Sequence, residues 1–77
     1  MSKAITDDPY ASLGNAIILQ AVNDYRAALR RIKHNSKNRM AIDEALLIEK
    51  FFRGQLYAVI TNIDGEFLID KLRKEVA

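Results

Sequence analysis

A chain of 77 residues without cysteine holds one domain at most, and it excludes disulfides, thiolate metal sites and a cysteine nucleophile. The net charge is only +2, from 12 basic and 10 acidic residues, so overall charge says little about partners unless it is clustered. Hydrophobic residues make up 49% of the chain, which is rich at this size and points to a dense core or to apolar surface covered in a homodimer.

Residues 1–11 read as a flexible N-terminal arm, and residues 12–77 as a single helical domain. In "ITDDPY", Pro9 fixes its own φ and pushes Asp8 away from helical geometry, while Tyr10 and Leu13 are able to tuck the arm onto the body. The opening residues contain no apolar run of the kind a signal peptide needs. The apolar runs "ALLI" and "YAVI" are too short to span a bilayer, so no membrane association is expected. A small chain without disulfide staples suits the cytoplasm.

The clearest element is a helix over residues 14–34. Ile18, Val22, Tyr25, Leu29 and Ile32 recur at helical spacing and form one apolar stripe. Ala21 and Ala28 lie beside it and allow close approach by another helix, and Ser12 is a candidate N-cap. The helix should stop near "HNSKN", with Asn35 tolerating a left-handed conformation and Ser36 or Asn38 capping the next helix. So short a link joins antiparallel neighbours.

A second helix is predicted over residues 38–53, with Met40, Ala41, Ala45, Ile48 and Phe52 on its inner face and Leu47 and Phe51 next to them. Gly54 ends it. "QLYAVIT", residues 55–61, has strand-like composition but no second strand to pair with, so a short buried helix is expected. A last helix over residues 65–76 is capped by Asp64, with Ile63 set to staple against Leu68. Leu68, Leu72 and Val76 form its stripe with Ile69 alongside, and Asp70 and Lys74 make an exposed pair. The fold class is therefore all-α: a small helical bundle built on a long antiparallel helix hairpin plus a short helix and a C-terminal helix.

The stretch "FFRGQLYAVITNIDGEFLIDKLRKEVA" resembles small uncharacterised all-helical proteins encoded in phages and integrative elements of Gram-positive bacteria. The likeness rests on Phe51, Phe52 and Arg53, then on the run from Asp64 to Glu75, and on "GNAIILQAV" at the start of the first helix. Where that pattern has a Ser-Asp cap and a Trp, this chain has Gly54, Gln55 and Leu56. The resemblance implies a mobile-element origin and brings no catalytic residues with it.

No motif carries enzyme chemistry. "NIDGEFLIDK" has the Asp-Gly-acid centre of a calcium loop, but with Gly65 at the sixth loop position the first and twelfth fall on Ile60 and Lys71, where carboxylates are needed. His34 is the only histidine and has no ligand partners at metal spacing, so neither a metal nor another cofactor is expected. It suits the C-terminal end of the first helix. Ser2, Thr6, Ser12, Ser36 and Thr61 cannot assemble a triad around it. Adjacent Asp43 and Glu44 diverge on a helix, and no glycine-rich phosphate loop exists.

One charge cluster stands out. Arg26, Arg30, Lys33 and Lys37 run beside the apolar stripe, and Arg31 and Arg39 broaden the run at the tip of the hairpin, with the acidic residues expected elsewhere. A phosphate-binding edge looks like this, but so does a helix end whose cations answer the dipole and cover apolar surface. A helix-turn-helix over residues 55–76 is disfavoured, because Asp64, Glu66 and Asp70 would face the phosphates. The expected function is a small non-enzymatic module that acts on a protein partner through these six cations, as accessory regulator or inhibitor. The alternative is a nucleic-acid-binding regulator that uses the same basic tip.

Overall fold

A computed structural model describes residues 9–77, with side chains from Ser12 onward. Its elements are α1 (Pro9–His34), α2 (Arg39–Phe52), α3 (Gln55–Ile60) and α4 (Gly65–Val76), and the described residues contain no strand. The arm expected over residues 1–11 lies, for residues 1–8, outside the described residues. α1 starts at Pro9, earlier than expected, because proline is well suited to the first helical position, where its missing N–H has no intrahelical partner to lose. Ser12 consequently sits inside the helix and not at its cap.

The α1–α2 link is built by two asparagines. Asn35 does not adopt a left-handed conformation, since no described residue has a positive φ. Its side chain turns the chain instead: Oδ1 accepts from the Lys37 N–H at 3.0 Å, and its carbonyl accepts from Asn38 N–H at 3.0 Å. Asn38 then caps α2, accepting from Ala41 N–H at 3.1 Å. Moving along α1 from Tyr25 to Arg31 moves back along α2 from Glu49 to Glu44.

The core gathers Val22, Tyr25 and Ala28 of α1, Ala45 and Phe52 of α2, Tyr57 of α3, and Ile69 and Leu72 of α4. Phe52 is its hub. The ring lies edge-on to Tyr25 at 5.7 Å and to Tyr57 at 5.6 Å, in the T-shaped geometry that aromatic quadrupoles favour. α2 turns Ala41, Ala45, Glu49 and Phe52 inward. Met40 and Leu47, expected on or beside this face, are 76% and 68% exposed. Small alanines carry the α1–α2 contact, and at 100° per residue Met40 falls to the side of Ala41 and out of it. α3 is a helix as expected, but only Tyr57 is buried, while Leu56 and Val59 face outward. Asp64 caps α4 through Glu66 N–H at 3.2 Å, and Ile63 stays more than half exposed.

Gly65 marks a close approach between α2 and α4. A Cβ there would stand 2.1 Å from the Phe52 carbonyl oxygen, so α4 starts directly against the end of α2. Among the described residues no helix is long and apolar enough to cross a membrane.

Candidate partner-binding surface

The six cations do not form one stripe. Arg26 leans toward α4 and grips Glu75, with Nε at 2.9 Å from Oε1 and a second nitrogen at 3.4 Å from Oε2. Arg31 leans the other way, to Glu44 of α2 at 3.2 Å. Arg39 meets Asp43 one turn on at 3.4 Å. The acids expected elsewhere therefore lie among the cations. Their pairing follows from position: Glu44 is brought to Arg31 by the α1–α2 contact, and Glu75 to Arg26 by the packing of α4 on α1. The hydrogen bond from Arg26 holds the Glu75 carboxyl below its usual range, and the Arg26 pKa is raised in turn.

Three cations remain available. Arg30 and Lys37 are exposed and take part in no ion pair among the described residues. Lys33 reaches, among the described residues, only the Ala77 carbonyl, at 3.5 Å. Arg30, Lys33 and His34 border a cleft with Glu75 and Val76. Next to it, Leu29, Ile32 and Val76 form an apolar trough between Lys33 and Arg73. His34 is the last residue of α1, where a cation suits the helix dipole.

Sequence reasoning missed a second polar cluster. Glu49 is 4% exposed, and its carboxylate accepts from the Tyr25 hydroxyl at 2.5 Å, from Arg73 at 2.7 Å and from Arg53 at 3.4 Å. Arg73 Nε also donates to the Tyr25 hydroxyl at 3.2 Å, and Arg53 is held from its other side by Glu66. Burial pushes the Glu49 pKa up, but the hydrogen bonds from Tyr25 and Arg73 outweigh it and leave the carboxyl below its ordinary value. Burial and the bond to Glu49 push Tyr25 up to about 12. The signal was present in the sequence: Glu49 follows Ala41 and Ala45 at intervals of four, on the face that packs against α1. This cluster ties three helices together and leaves the carboxylate engaged by three donors. Tyr57, nearby in the core, has a buried hydroxyl with no hydrogen-bond partner among the described residues.

No group of His, Cys, Asp and Glu among the described residues is arranged to hold a metal ion. Comparison with family models, with curated proteins and with solved structures finds no match to this chain.

Proposed function

We propose that this chain is a small non-enzymatic protein-binding module of a mobile element, an accessory regulator or inhibitor working in the cytoplasm by contact with a protein partner. In this reading α1 and α2 form a long antiparallel hairpin whose basic end, with the neighbouring end of α4, is the contact surface. The observation that carries the reading is the mixed chemistry of that end. An apolar trough of Leu29, Ile32 and Val76 lies between the cations Lys33 and Arg73, and Glu75 stands beside Arg30 and Lys33. An acidic protein segment with an apolar anchor fits such a surface, whereas a phosphate backbone gains nothing from the trough. The pairing of Arg26, Arg31 and Arg39 with carboxylates further lowers the charge offered to a polyanion. The likeness of residues 64–75 to proteins of phages and integrative elements supports the mobile-element origin.

The test is the triple change Arg30→Gln, Lys33→Gln and Lys37→Gln. All three side chains are exposed, so the fold should survive, each change costing about 0.5 kcal/mol or less. Capture of a host protein by the wild type, slowed in the folded triple variant, with no measurable duplex DNA binding by either, is expected. Tight wild-type binding to generic duplex DNA would overturn the reading, if its salt slope flattened by about 0.9 for each phosphate contact the variant loses.

A further inference from the structure

The two faces of α2 have opposite characters. Ala41, Ala45, Glu49 and Phe52 are buried, while on the far side Met40, Leu46 and Leu47 are 76%, 56% and 68% exposed. Leu46 and Leu47 form the floor of a groove that ends in Asp43 on one side and Lys50 on the other. Asp43 is held only by its exposed contact with Arg39, and Lys50 has no ion-pair partner among the described residues.

This arrangement is self-complementary. The positions are symmetric about the midpoint between Leu46 and Leu47, with Asp43 three residues before the pair and Lys50 three after it. A two-fold axis through that midpoint lays α2 antiparallel on a second α2. It sets Asp43 of each copy against Lys50 of the other and Leu46 against Leu47, as an isologous contact requires. We infer that the outer face of α2 is a homodimer interface, occupied by a second copy of this chain in that antiparallel register. The apolar α1 stripe and Phe52 are not available for this role, because Val22, Tyr25 and Phe52 are consumed by the core. A helix of 14 residues is about 21 Å long, so the contact is smaller than the roughly 1,600 Å² of a standard interface and belongs to the weak, transient class. The inference does not depend on the reading of the basic end of α1.

Charge exchange tests both the surface and the register. In Asp43→Lys, lysine faces lysine across the dyad twice. In Lys50→Glu, aspartate faces glutamate twice. Each variant alone should dimerise at least about tenfold more weakly than wild type by sedimentation equilibrium, with circular dichroism showing both still helical. In a mixture of the two variants, the introduced lysine of one chain opposes the introduced glutamate of the other. The second contact across the dyad is then the native one, Asp43 against Lys50. A heterodimer should therefore form at near wild-type affinity. A wild-type chain that stays monomeric up to millimolar concentration overturns the inference. So does a dimer that neither exchange weakens, or a loss in both variants that mixing fails to restore.

Discussion

The hydroxyl of Tyr25 offers a sharp measure of what the buried cluster contributes. Tyr25→Phe removes one oxygen and leaves the ring edge-on to Phe52. The lost oxygen donates to a buried carboxylate at 2.5 Å and accepts from Arg73 at 3.2 Å. Hydrogen bonds to charged groups are worth about 1.5–3 kcal/mol, and Glu49 keeps its two arginine partners, so a loss of about 2 kcal/mol is expected. In a domain of this size that lowers Tm by about 8–16 °C. Tyr57→Phe is the matched control. It makes the same chemical change in the same core but removes a hydroxyl that has no partner among the described residues, so it should be neutral or slightly stabilising. The pH dependence gives a second reading. The folded pKa of Glu49 lies below its ordinary 4.5, so its contribution is present above that pH and is lost as pH falls through the folded value. The gap between wild type and Tyr25→Phe should therefore narrow on acidification. Tyr25 is raised from 10.0 to about 12, so its own contribution is full below pH 10 and disappears as pH rises through about 12. Thermal melts at pH 7 settle the matter: if Tyr25→Phe melts within a degree or two of wild type while Tyr57→Phe does the same, the cluster adds no net stability and the reasoning fails.

Gly65→Ala should cost about 3 kcal/mol or more in a chemical denaturation curve, because the added methyl meets the Phe52 backbone, which cannot turn aside. Gly14→Ala should destabilise by about 1 kcal/mol net: its methyl would meet Ile60 Cγ2 at 2.7 Å, a β-branched side chain with one preferred χ1 in a helix, and that crowding outweighs the helix propensity alanine regains. Phe52→Ala should cost about 3–5 kcal/mol and leave little folded protein by circular dichroism, given a margin near 5 kcal/mol for so small a domain. Leu29→Ala should cost about 2 kcal/mol, the low end for such a change, because Leu29 is only half-buried; an unchanged melt would show that α1 is not packed through this residue.

Four helices and most of their boundaries are legible in the sequence because apolar spacing and capping residues act locally. The stripe through Val22 and Tyr25, the Asn38 and Asp64 caps, and the pair of Asp70 with Lys74 at 3.0 Å all follow from residues within a turn of one another. What the sequence hides depends on partners far along the chain. Apolar character alone places Met40 inward, whereas the α1 contact selects small alanines and leaves it in solvent. The basic run reads as free of acids because Glu44 and Glu75 come to it only through tertiary packing. The spacing of Glu49 from Ala41 and Ala45 marks it as inward-facing, but its donors Tyr25 and Arg73 reach it only through tertiary packing.

Phe52 bears on how this chain reaches its native state. Its ring meets Tyr25 of α1 and Tyr57 of α3, and its carbonyl lies under the first residue of α4. The last turn of α2 is thus a place where all four helices converge, and no pair of them completes the packing of this ring without the other two. A partly assembled pair of α1 and α2 leaves this ring and Tyr25 in water, with Glu49 lacking the arginine that α4 supplies. Intermediates are accordingly poor in energy, and opening is concerted: the slowest-exchanging amides of all four helices should share one exchange free energy, as a single cooperative unit.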